Sequence, residues 1–503
     1  MNRRDFLKLS VGGVATLVVG SRLSWLHPGE AYAAAPGQTL QITVTDAIKE
    51  MVTHNAINTA ECYFWGFQMS VAGAPGTPDT VLPYECPSPT ILIENGDSIT
   101  VEIHNELDEP HAFFVPGIFD SGTDAVDITD NTTTYPDGIP PGKTVRGTFT
   151  PGKSGAFLYY DNLNEPVNRM MGLHGAIIVR PRVKAVGHKF TPYDPADVTP
   201  GVQALYDDFG SSDHFPGLAW EEGDPATNVP PFRQYVWVTH QASPNLFKKV
   251  GSLPPGEIYP AAQFVDEFLH SPFDPTNATS FTPQYFTING QSGMFAHMGP
   301  NITPMGRVGE PVVVHILNAG LWTHSMHLHA NHFYVTSLNG EVSENPIWVD
   351  VYNVRPMDRV DYTIPFMRCP DVPNVRGIGY PDKPLTTLNG HPCWPPAEEL
   401  NLFIPAAGEK TASDIHGNTI DLKQRLSPLC YPMHDHSEPS QTAQGGNYNC
   451  GLMSGMYITG DRNTLGYMDF PMDHDFAMMY RNIRGCSLGT NPAPGLEPPP
   501  HGT

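Results

Sequence analysis

Two short segments concentrate the histidines of this chain. One is Trp322-Thr323-His324-Ser325-Met326-His327-Leu328-His329-Ala330-Asn331-His332-Phe333, and the other is Tyr431-Pro432-Met433-His434-Asp435-His436. In a strand, residues two apart face the same side. His327/His329 and His434/His436 are therefore two pairs, each aimed one way. If the two strands are neighbours, four imidazoles converge, and such a cluster suits copper, zinc or iron. A lone histidine is ordinarily a hydrogen-bonded core residue, whereas two His-x-His pairs in one domain argue for a metal. Asp435 is open to two readings, a hard oxygen ligand or a charge partner that faces away from the pair. Cys430 stands four residues before His434; it is either a thiolate ligand or a buried or bridged cysteine. Met170, Met171, Met453, Met456, Met478 and Met479 would suit soft Cu(I) contacts or fill the core.

Strands must position these pairs. Alternating apolar residues mark them at Thr39–Val44, Thr90–Glu94, Ser98–Ile103 and Thr144–Phe149, separated by Gly and Pro turns. With the apolar run Gly175–Val179 they form one β unit over residues 36–182. Residues 183–232 are Pro-, Asp- and Gly-rich and read as an irregular linker. A second β unit spans 233–462 and includes Gln234–Val238, Phe286–Gly290 and Pro311–Asn318. It carries a loop-rich insertion at about 365–428, and a Pro- and Met-rich tail covers 463–503. The units share a phrase, Ile93–Val101 against Arg307–Val314, each followed by an asparagine, Asn105 and Asn318. That is weak internal repetition. With 52 Pro among 503 residues, long helices are disfavoured.

The N-terminus reads as an export signal. Arg3-Arg4-Asp5-Phe6-Leu7-Lys8 precedes an apolar run too short for a lasting membrane span, and Ala31-Tyr32-Ala33-Ala34-Ala35 offers a cleavage region. Twin arginines point to the Tat route for folded proteins, hence to a periplasmic or secreted product. Residues 1–35 hold four basic and two acidic side chains; taking these from 28 and 52 leaves 24 basic and 50 acidic. So acidic a chain is a poor partner for nucleic acid or anionic membrane, and it attracts cations. Seven cysteines in an oxidising compartment imply disulfides, Cys369–Cys393 being one candidate, with at least one thiol left over within the chain. No Cys-x-x-Cys pair exists to build a structural zinc site.

The histidine segments resemble the multicopper oxidase family over roughly residues 40–182 and 280–460. His324-Ser325-Met326-His327-Leu328-His329 is similar to the family's HPxHLH motif, preceded by Phe286-Thr287-Ile288-Asn289-Gly290 and Gly309-Glu310. In the first unit, Pro87–Ile91 and Asn105–Pro110 resemble the approach to the first copper motif. The resemblance implies an all-β chain of two cupredoxin-like Greek-key β-sandwiches, and copper as cofactor, with zinc as the alternative. Only 163 residues separate Tyr160 from His324, too few for a complete additional domain. That length is similar to two-domain members such as copper nitrite reductases and small laccases. These often form trimers with copper between subunits, so the resemblance admits a homotrimer.

Against that pattern the chain departs in four places. Phe114 and Pro116 stand where the first His-x-His pair belongs, and Tyr160 and Asn162 where the second does. In the HCHxxxH motif, Asp435 takes the cysteine position, Ser440 the second histidine's, and Leu452 stands near the axial position. Of the usual type 1 set only His324 remains, so the thiolate electron entry is expected to be missing. The expected metal residues are His324, His327, His329, His434 and His436. Three functions follow. One is an exported oxidoreductase with a reduced histidine copper site, acting on a small molecule or a metal ion. The others are a non-catalytic copper- or zinc-binding protein and a structural cupredoxin scaffold.

Overall fold

The computed structural model describes residues 39–52, 59–71, 87–118, 135–211, 234–269, 285–297, 302–307, 312–364, 429–442 and 451–460. It also describes short strand pieces at 32–33, 80–81, 125–127, 386–388, 391–394, 411–413 and 419–421. Most of the expected signal, most of the 365–428 insertion, Cys369 of the expected Cys369–Cys393 pair and the tail lie outside the described residues. Among those described, no helix is long and apolar enough to cross a membrane.

The architecture is all-β. Its first half contains β1 (Thr39–Val52), β2 (Thr59–Val71), β3 (Ser88–Glu94), β4 (Ile99–Asn105), β5 (Phe114–Pro116), β6 (Thr144–Phe149), β7 (Gly155–Tyr160) and β8 (His174–Arg180). One sheet runs β2-β1-β4-β6 with Thr80–Val81 at its edge. The other runs β3-β8-β7-β5, flanked by Tyr32–Ala33 and Ala125–Asp127. β4 buries every second residue, as expected of a strand with one face on a core. β7 is buried throughout, because the second half covers its other face.

That second half holds β9 (Gln234–Ala242), β10 (Tyr285–Ile288), β11 (Met305–Arg307), β12 (Val312–Asn318), β13 (His324–Leu328), β14 (Phe333–Leu338), β15 (Glu341–Val349), β16 (Val351–Val354), β17 (Arg359–Ile364), β18 (Leu429–Asp435) and β19 (Met453–Gly460). One sheet is ordered β10-β9-β12-β17-β14-β15 and the other β11-β19-β18-β13-β16. Leu158, Tyr160 and Ile178 of the first half meet Val238, Leu317 and Ala319 of the second in one apolar cluster.

The internal repeat is explicit in hydrogen bonds. Asn105 Nδ2 donates to Glu109 O and Ile139 O, and its Oδ1 accepts from Leu107 N. Asn318 Nδ2 donates to Trp322 O and Val354 O, and its Oδ1 accepts from Gly320 N. The near offsets, two and four residues, are the same in both halves, and the far ones are 34 and 36, so each asparagine pins an equivalent turn.

One expectation is corrected. Within the supposed linker, Pro200–Ser211 is a helix whose Val202, Leu205 and Tyr206 are buried. Thr199 Oγ1 accepts from Val202 N at 3.3 Å, and proline follows it at the first helical position. Tyr206 Oη reaches Thr363 Oγ1 at 3.0 Å, and Tyr193 Oη donates to Asp361 at 3.0 Å. This stretch packs on the second half.

Candidate metal centre

β13 lies antiparallel to β18, with His327 directly opposite His434. In β13 the residues alternate between buried and half-buried, His324, Met326 and Leu328 pointing inward and His327 outward. His329 continues the outward face. The ring centroids of His327 and His329 are 5.0 Å apart, those of His327 and His434 5.5 Å, and those of His327 and His436 5.1 Å. One nitrogen from each of His327, His329 and His434 lies within 4.8 Å of the others. His436 borders this group, its ring 5.8 Å from that of His434.

The tautomers follow from the far side of each ring. His327 Nδ1 donates to Asp350 O at 3.0 Å, and His434 Nδ1 donates to Asp435 O at 2.8 Å. Each leaves Nε2 with its lone pair toward the cluster, the arrangement that orients histidine ligands. His329 Nε2 and His434 Nε2 approach to 2.8 Å. Burial depresses the pKa of His329, as do His434, His327 and His436 beside it. Burial likewise depresses His434, with neighbouring histidines adding to the effect. Both rings are held neutral, as ligands must be.

His324 sits apart from this group. Three residues before His327, it faces inward, where Nδ1 meets Asp435 Oδ2 at 2.6 Å and Nε2 meets Gln241 Nε2 at 2.9 Å. Asp435 is wholly buried. Its Oδ1 accepts from Ser325 N at 2.8 Å and Ser437 N at 2.9 Å, and Oδ2 also accepts from Ser440 Oγ. Burial alone would raise its pKa, but the hydrogen bond and charge of His324 and the Ser440 bond outweigh that and lower it. His324 and Ser440 are thus joined through Asp435.

His111 repeats the pattern in the first half, a pairing the sequence reading missed. It follows Asn105 by six residues, as His324 follows Asn318. His111 Nδ1 meets Asp161 Oδ2 at 2.6 Å, both fully buried. Asp161 Oδ1 accepts from Leu163 N at 2.8 Å, as Asp435 does from Ser437. Between the two His-x-His positions of this half, Phe114 packs edge-on against Tyr160 at 5.4 Å. Arg169 lies over the Tyr160 ring at 5.9 Å. Tyr160 belongs to the apolar contact between the halves. Met170, Met171 and Met456 are core residues.

Residues 67–184 and 270–366 each match a family model described as multicopper oxidase. Among solved structures, a blue copper oxidase from Nitrosomonas europaea is similar at 17% identity, over 83% of this chain and 84% of that one, with a TM-score of 0.45. The multicopper oxidase mgLAC is similar at 16% identity over 86% and 87%, with a TM-score of 0.47. A copper nitrite reductase from Nitrosomonas europaea is similar at 12% identity over 86% and 99%, with a TM-score of 0.40. One family match falls in each half, across Asn105 in the first and across Asn318, His327 and His329 in the second, so each half carries a region that matches multicopper oxidase domains.

Proposed function

We propose that this protein is an exported copper-binding oxidoreductase that uses a reduced histidine site in its second cupredoxin unit and no type 1 copper. His327, His329 and His434 would hold the ion, with His436 beside them. Their convergence within 4.8 Å, each Nδ1–H of His327 and His434 tied to a backbone carbonyl, is the observation that carries the reading. An all-imidazole donor set suits copper. Copper there would supply one-electron redox chemistry. The twin-arginine start supports export of a chain already folded.

His324, Asp435 and Ser440 bond to each other where a thiolate relay would enter, and this supports a second reading, a protein that binds copper without turnover. The test is metal content by plasma mass spectrometry on exported protein kept from chelators. Stoichiometric copper, lost in His329→Ala/His434→Ala, is expected; sub-stoichiometric metal in the parent would remove both readings. Oxygen consumption with a phenol or a reduced metal ion then separates them. Turnover abolished by His329→Ala supports the oxidoreductase, and copper without turnover supports the binder.

A further inference from the structure

Cys430 begins its contacts four residues before His434 on β18, away from the histidine cluster. It is a free thiol, half-buried. His297, at the end of the helix Gly293–His297, brings Nε2 to 3.7 Å from Cys430 Sγ. The other ring nitrogen, Nδ1, donates to Ser454 O at 2.7 Å. That bond fixes the tautomer, so Nε2 keeps its lone pair and directs it at the sulfur. The ring lies on Gly455 of β19. A Cβ at that position would stand 2.6 Å from His297 Cε1 and 2.9 Å from Nδ1, so a side chain there would expel the imidazole. Tyr457, opposite Cys430 across the strand pair, packs edge-on to His297 at 5.9 Å and donates to His297 O at 3.3 Å.

We propose that Cys430 Sγ and His297 Nε2 form a second metal site, separate from the histidine cluster, for a soft monovalent cation of the cuprous type. Bonds of about 2.3 Å to sulfur and about 2.0 Å to nitrogen span such a gap at an angle of roughly 120°, leaving an open side for a third ligand. Thiolate donors select Cu(I) among the copper states. Charge makes the same choice. A thiolate and a monovalent ion sum to zero, whereas a divalent ion would leave net positive charge in a half-buried place, which is costly. On binding, the S–H bond breaks, its proton passes to solvent and a sulfur–metal bond forms; nothing is oxidised. Without the ion the pair stays neutral too. Burial pushes the Cys430 thiol up to about 12 and depresses His297.

The experiment uses the full chain carrying His329→Ala/His434→Ala, which removes the cluster, and titrates it with silver(I) as a redox-inert probe and with Cu(I) under argon. Other cysteines bind these ions as well, so the difference between variants is read. Cys430→Ser is expected to lose one equivalent. His297→Ala keeps the thiol and is expected to weaken that equivalent by roughly 10–100-fold. Gly455→Ala keeps both donors and displaces the ring, so it should reproduce the loss if His297→Ala fails to fold. X-ray absorption on the parent should show both sulfur and nitrogen neighbours. Binding that is unchanged in the folded His297→Ala or Gly455→Ala variant, or unchanged in Cys430→Ser, overturns the proposal.

Discussion

Asp435 and His324 stand on the inward face of the site strands, and His434, His327 and His329 on the outward one. Both carboxylate oxygens of Asp435 are engaged, with His324, Ser325, Ser437 and Ser440, and both His324 nitrogens are bonded as well. Two substitutions separate the faces. His324→Gln should leave copper stoichiometry unchanged while lowering the urea midpoint, whereas His329→Ala should lose copper and keep the midpoint. Copper lost from a folded His324→Gln protein would place that residue among the ligands after all. The outward pairs were legible because a strand repeats every two residues, and the same parity puts His324 on the other face. What it faces there was not legible, since its partner lies 111 residues away in sequence.

β13 and β18 are held in register by that same carboxylate, which spans Ser325 on one strand and Ser437 beyond the other. The first half uses Asp161 likewise, receiving His111, Leu163 N and Asn168 Nδ2. Removing one partner of a buried ion pair costs about 3–5 kcal/mol. Asp435→Ala and Asp161→Ala should therefore each lower stability by about that amount in urea titrations. Only Asp435→Ala should also weaken copper binding, because only it loosens the strands beneath the histidines. Equal weakening by both would mean that the register of β13 and β18 is irrelevant to the site. The repeat was visible in sequence as Asn105 and Asn318. The His111–Asp161 pair escaped notice because His111 occupies a position that copper motifs do not use. The Pro200–Ser211 helix escaped for a different reason. Pro200, Gly201 and Gly210 read as loop composition, yet proline is well tolerated at a first helical position, and burial of Val202 and Tyr206 supplies what propensity lacks.

At the scale of the molecule the two halves meet across an arginine and a pair of histidines that resist protonation. Arg169 of the first half donates to Ala319 O and Gly320 O of the second, and His240 Nε2 donates to Met170 O at 3.1 Å. His174 and His240 lie ring on ring, 4.5 Å between centroids. Burial depresses His174 to about 3, and burial followed by the neighbouring His174 holds His240 well below the ordinary value. In the unfolded chain both take up protons as pH falls through about 6.5, while in the folded chain His174 does not until about 3. The unfolded state binds more protons in that window. Stability is thus fully present above the ordinary histidine pKa and is lost on acidification, at up to about 1.4 kcal/mol per pH unit for each ring. His174 Nδ1 donates to Arg169 O at 3.0 Å, but that carbonyl also accepts from Gly172 N, and Nε2 has no partner among the described residues, so an apolar replacement strands no buried group. His174→Leu should therefore be tolerated at neutral pH and should flatten the fall of the urea midpoint between roughly pH 6.5 and 5. A slope identical to that of the parent would move the acid sensitivity elsewhere, to the carboxylates paired with His315 and His324. Those pairs act in a different window. Asp361, which burial would raise but His315 and its hydrogen bonds lower, contributes stability above the usual carboxylate range and loses it only in stronger acid. The junction between the halves is accordingly expected to yield first as pH falls, ahead of Asp361 and Asp435 in the second half.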